Sequence, residues 1–114
     1  MFKPHTLGKI GEANAVLFLK NKGYKILKVN YVNIYGEIDI IAQLKKQYIF
    51  VEVKTKSNLN YGFPQEEVTK IKQIRIKKGA LEFLKLRRIS TDKIRFDVIE
   101  IFNDTINHIE DAFY

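Results

Sequence analysis

The chain has no cysteine, two histidines, two prolines and no apolar run near the ~20 residues that span a bilayer. Without cysteine there can be no disulfide and no thiolate metal site, which fits a reducing compartment. The N-terminus MFKPHTLGKIGEA has no apolar h-region, so no signal peptide is expected. Together these absences predict a cytoplasmic protein. His5 and His108 are too far apart to read as a metal spacing, and no glycine-rich phosphate loop occurs. Zinc chemistry and P-loop nucleotide binding are therefore excluded as motifs.

What is present is apolar bulk and positive charge. The 114 residues, 46% hydrophobic with eight Phe and six Tyr, suffice for one domain, 1–114, with a real core. The formal charge is +7, from 20 Lys and Arg against 13 Asp and Glu. Half of the basic residues fall in 70–95, where Glu82 and Asp92 are the only acids. Such clustering points to a polyanion partner, because basic surfaces attract phosphates and release counterions.

Local patterning predicts the order αβββαββ. Thr6 can cap a helix running to about Lys22, with Gly23 as its stop. Strands are expected over 24–34, 37–43 and 48–55, followed by a loop at 55–64 punctuated by Asn, Gly and Pro. Pro64 suits the first turn of a helix from about Gln65 to Leu86. Strands at 94–102 and 106–110 complete the chain. A helix between the third and fourth strands permits a crossover, so a mixed sheet flanked by helices is the expected α/β architecture.

Charges inside two of these strands are the unusual feature. If Lys45 and Lys46 form the turn, Ile38, Ile40, Ala42 and Leu44 oppose Val53, Val51, Ile49 and Gln47 on a core face. The other face pairs Gln43 with Tyr48, Ile41 with Phe50, Asp39 with Glu52, and Glu37 with Lys54. Opposed like charges at ~4.5–5.5 Å between Cβ atoms are destabilising unless a proton or cation intervenes. Two such carboxylates offer a bite for a hard divalent ion such as Mg²⁺, with the Val53 carbonyl near enough to join. Lys54, two residues beyond Glu52, either orients an attacking water or pairs with Glu37.

Two helical residues bear on the same place. Glu12 lies among Gly8, Gly11 and Ala15, which would let its helix approach the sheet closely, although an exposed helical Glu is the plainer reading. Lys72 falls on the apolar arc of Val68, Ile76, Gly79 and Phe83 and must snorkel or find an anion. Ile71, Ile74 and Leu81 interrupt the basic opposite side, as a subunit interface or a broader core would. Asp97 is expected to pair with Arg95 or a nearby lysine.

Glu12, Asp39, Glu52 and Lys54 together resemble the PD-(D/E)xK nuclease superfamily and, within it, archaeal-type Holliday junction resolvases. The nearer resemblance is to the YraN family. LGKIGEANA, NYVNIYGEIDIIA, YIFVEVKTK, YGFPQEEVTKIKQ, GALEFL, RFDVIEI and HIEDAF look like that family's blocks, in order. Ile38 stands where the superfamily label has proline. The resemblance implies a restriction-endonuclease-like fold and a Mg²⁺- or Mn²⁺-dependent endonuclease site. Asp39, Glu52 and Lys54 would form it, Glu12 would support it from the first helix, and Gln65 and Lys72 would contribute from the second. DNA is the implied partner, branched or damaged DNA the implied substrate, and a homodimer would allow two symmetric cuts. A non-catalytic nucleic-acid adaptor with the same fold is the alternative.

Overall fold

The computed structural model describes residues 4–56 and 68–113, with side chains of the first helix from Gly8 onward. Helix α1 spans Pro4–Asn21, followed by β1 (Lys25–Asn33), β2 (Gly36–Leu44), β3 (Gln47–Lys56), α2 (Lys70–Leu86), β4 (Ile94–Phe102) and β5 (Thr105–Ile109). This is the expected αβββαββ order. The five strands form one sheet in chain order. All neighbours are antiparallel except β3 and β4, which run parallel because α2 lies between them in the chain and carries the crossover.

Helix α1 begins at Pro4, so Thr6 lies within the helix and does not cap it. Proline is preorganised for the first helical position and lacks an N–H that would be orphaned there. The other end stops as expected. Gly23 takes φ +91°, its N–H donates to Lys20 O, and Tyr24 N–H donates to Leu19 O, both at 3.0 Å. These are the paired bonds of a Schellman cap. Helix α2 starts later than expected. Thr69, extended at φ −62° and ψ 158°, accepts at its side chain from Lys72 N–H and caps the helix.

The two helices cover opposite faces of the sheet. Under α1, Ala15 and Leu19 pack with Ile40, Ala42, Ile49, Val51, Ile99 and Ile101. Under α2, Ile76, Ala80 and Phe83 pack with Ile38, Ile41, Phe50 and Val98. Both faces of β2 and β3 are thus core, which is why these strands read as nearly continuous apolar runs. Ile71, Ile74 and Leu81 stay 45–65% exposed, so they do not broaden the core. Among the described residues, no helix is long and apolar enough to cross a membrane.

Candidate metal centre

The β2–β3 hairpin has the register its sequence predicts around Lys45 and Lys46: Leu44 opposes Gln47, Ala42 opposes Ile49, and Ile40 opposes Val51. The ladder ends with that last pair, so the expected pairs Ile38–Val53, Asp39–Glu52 and Glu37–Lys54 are not part of it. Beyond it β2 goes on pairing with β1 as far as Gly36, while β3 pairs with β4 as far as Lys56. The sheet opens into a fork between β2 and β3, and the charged residues gather there.

Side-chain alternation slips in the same place. Ile40 and Ala42 face α1, as strict alternation from Leu44 requires, but Ile38 packs under α2 with Ile41. Ile38 therefore leaves the face it was expected to share with Ile40. Across on β1, Asn30 has φ +54° and forms no register pair with Asp39, although Val29–Ile40 and Tyr31–Ile38 pair on either side. A local distortion of β1 thus lies opposite the slip in β2. Asp39 turns into the fork and accepts the Val53 N–H at Oδ2, 2.8 Å away. N–H and C=O of one residue project to the same edge of a strand, so the Val53 carbonyl borders the fork as well.

Acidic groups reach this point from both sides. From the α1 side come Glu12 and Glu37, and together with Asp39 they offer three carboxylate oxygens within 4.8 Å of one another. A hard cation with ~2.0–2.6 Å bonds spaces its opposing ligands roughly 4–5 Å apart, so the three suit one ion. Asn30 links them. With its amide oriented to satisfy both ends, its NH₂ donates to Glu37 Oε1 at 2.7 Å and Glu12 Oε1 at 2.8 Å, and its oxygen accepts from Lys9 Nζ at 3.3 Å.

From the α2 side comes Glu52, whose side chain is only 5% exposed and pairs through Oε1 with Lys72 Nζ at 2.7 Å. Among the described residues its Oε2 is buried without a hydrogen-bond partner, and a buried carboxylate oxygen left unmatched is costly. Lys54 lies two residues on, half-buried and on the same strand face as Glu52.

The electrostatics register this crowding. Burial, reinforced by Glu52 and Glu12, pushes the Asp39 carboxyl up to about 7 despite the Val53 N–H and Lys72. Burial also raises Glu12; Glu37 and Glu52 add to that shift, while Lys9 and Asn30 oppose it. Glu12, Glu37 and Asp39 make up the close carboxylate group; Glu52 lies outside it but near enough to raise Asp39 and Glu12. An orphaned buried oxygen and an all-oxygen donor set fit a hard divalent cation.

Of the residues singled out in the sequence, the structure brings Glu12, Asp39, Glu52, Val53 and Lys72 to the fork, with Lys54 beside Glu52 on β3. Gln65 lies outside the described residues. Glu37 and Asn30 were missed as site residues, because strict alternation set Glu37 beside Lys54 and nothing in the sequence marks the twist at Asn30.

A second polar cluster is separate. Asp97, fully buried, accepts two bonds from Arg95 at 2.8 Å, one from His108 Nε2 at 2.7 Å and one from Asp111 N–H at 2.9 Å. Lys22 Nζ lies 2.8 Å from His108 Nδ1. Burial would raise Asp97, but these hydrogen bonds outweigh it and hold the carboxyl below its ordinary range. Every acceptor position has a partner among the described residues, so this cluster ties the turn after α1 to β4, β5 and the turn that follows β5.

Fold and site together define a mixed α/β domain with an acidic group suited to a divalent cation. The model of "Uncharacterised protein family UPF0102" matches residues 11–101. The chain belongs to UPF0102, the YraN family its sequence blocks resemble. It is 48% identical to a UPF0102 protein of Alkaliphilus oremlandii, covering 94% of this chain and 97% of that one. Identity to a UPF0102 protein of Caldicellulosiruptor bescii is also 48%, over 94% and 96%. A relative from Clostridioides difficile is 44% identical over 93% and 95%. Among solved structures, the crystal structure of SSO0001 aligns with 94% of this chain and 51% of its own at 19% identity and a TM-score of 0.43. This chain spans about half of that protein, and so loose a superposition carries no argument about site or reaction.

Proposed function

We propose that the protein is a metal-dependent DNA endonuclease using Mg²⁺ or Mn²⁺, with branched or damaged DNA as its substrate. The observation that carries this reading is Glu52 Oε2, a buried carboxylate oxygen without a partner among the described residues, beside an Asp39 that burial and Glu52 push up to about 7. Asp39, Glu52 and Glu12 bind the ion, with Glu37 as a further donor and the Val53 carbonyl at the rim. The bound ion supplies Lewis acidity at the scissile phosphate. Lys54, beside Glu52, holds the attacking water or offsets charge on the phosphate. Lys72 fixes the Glu52 carboxylate through Oε1 and leaves Oε2 available, a positioning role. Gln65 joins the catalytic site, as the family resemblance implies. Two symmetric cuts would need a second copy of the chain, which makes a homodimer the natural working unit.

The Lys72–Glu52 ion pair favours one alternative. It partly compensates Glu52 without any metal, as a nucleic-acid adaptor that performs no chemistry would require. Incubation with four-way, flap and linear DNA, with and without Mg²⁺ or Mn²⁺, separates the two. On the nuclease reading Asp39→Asn and Glu52→Gln abolish cutting and leave DNA binding intact or tighter. Metal-independent binding with no cleavage of any substrate selects the adaptor.

A further inference from the structure

A cleft of about 580 Å³ separates the β1–β2 turn from α2, with Ile34, Tyr35, Ile71, Ile74, Arg75 and Lys78 on its walls. Its volume is within the ~300–1,000 Å³ usual for ligand sites. The walls combine two chemistries. Ile34 is 86% exposed, Ile71 65% and Ile74 45%, so three large apolar side chains are left out of both cores. Above them Lys78 Nζ lies 5.8 Å from the centre of the Tyr35 ring, with Arg75 alongside. The turn itself is held, because Tyr35 N–H donates to Asn33 Oδ1 at 2.8 Å and Asn33 pairs with Gly36.

We infer that this cleft binds a short run of unpaired nucleotides, their bases against Tyr35 and the isoleucines and their phosphates on Arg75 and Lys78. The inference rests on the proposal that DNA is the substrate and says which part of it this face holds. Charge argues against a second copy here. Lys70, Arg75, Lys77, Lys78 and Lys85 all lie on α2, and a two-fold contact through this face would set each helix's cations against the other's. A polyanion complements them. A duplex presents phosphates but keeps its base faces stacked, leaving the apolar wall unmatched. Unpaired nucleotides offer both phosphates and π-faces, and aromatic side chains with nearby cations are how sequence-tolerant single-strand sites work. In the chain, Gly36 on one wall precedes Glu37 and Ile71 on the other precedes Lys72.

The test is fluorescence anisotropy of the full chain in EDTA, with a labelled 12-mer of thymidine and a labelled 12-base-pair duplex. EDTA keeps cleavage out of the readout, so a failed nuclease proposal and a failed cleft are told apart. The thymidine strand should bind more tightly than the duplex. Tyr35→Ala should weaken strand binding about fivefold or more without changing duplex affinity, and Tyr35→Phe should retain it. Arg75→Ala with Lys78→Ala should weaken both ligands and flatten the salt dependence. Thermal melts check that each variant folds. Equal affinity for the two ligands overturns the inference, and so does an unaltered Tyr35→Ala. Sedimentation showing a wild-type dimer that Ile71→Asp breaks gives the face to a second copy and overturns it too.

Discussion

Lys72 on α2 and Glu52 on β3 meet at 2.7 Å, and the second oxygen of the same carboxylate is buried with no partner among the described residues. The pair holds Glu52 in place without satisfying it. Lys72→Met removes the cation and leaves Glu52 uncompensated. Breaking a fully buried pair costs ~3–5 kcal/mol, but Lys72 is 43% exposed and screened, so about 1–2 kcal/mol is expected. Urea unfolding in EDTA should show that loss, and millimolar Mn²⁺ should recover most of it.

The crowding at Asp39 predicts a pH dependence of defined sign. Its carboxyl titrates near 7 in the folded protein and near ~3.9 in the unfolded chain. Between those values the folded state holds the proton more tightly, so metal-free stability falls as pH rises from about 4 to about 7. A cation binds the deprotonated form, so its affinity rises over the upper part of that range and levels off above it. Melting temperatures in EDTA should decline from pH 5 to 7, and Mn²⁺ should flatten the decline. In Asp39→Asn most of the slope should be gone, and an equal slope in that variant would assign the effect elsewhere.

Helix α1 approaches β3 so closely at Gly11 that a Cβ there would collide with the Thr55 side chain, whose Cβ would stand 3.1 Å off. Thr55 is on a strand with little room to retreat. Gly11→Ala should therefore lift α1 and draw Glu12 away from the fork, costing ~1–3 kcal/mol as overpacking does. Mn²⁺ affinity should fall with it. Thr55→Ala in the same chain removes the hydroxyl and methyl and should restore part of both.

The Asp97 cluster separates structural charge from chemical charge. Asp97→Ala leaves Arg95 and His108 without their shared partner, and a loss of ~3–5 kcal/mol is expected. Because the folded pKa of Asp97 is depressed, its contribution is present above ~3.9 and lost as pH falls through the lower folded value. Metal affinity per folded molecule should match wild type in a calorimetric titration of this variant.

Much of this was legible in the chain. Lys45 and Lys46 between two apolar runs fixed the hairpin register, and α2 between β3 and β4 implied the parallel pair. Lys72 on an apolar arc had either to snorkel or to find an anion, and it pairs with Glu52. Strict alternation could not foresee the slip between Ile38 and Ile40, which lies opposite Asn30 at φ +54° in the neighbouring strand. That slip turns Glu37 toward Glu12. Helix α2 begins at Lys70 rather than near Gln65 because Thr69 caps it, and a threonine followed by a helical run is itself a cap signal.

The central claim is that carboxylates converging where β2 and β3 part capture a divalent cation. Isothermal titration of Mn²⁺ into wild type, Asp39→Asn and Glu52→Gln at pH 8 tests it most directly. Saturable binding in wild type, weakened at least tenfold in Asp39→Asn and clearly reduced in Glu52→Gln, is the predicted result. Equal Mn²⁺ affinity in all three folded proteins would contradict it.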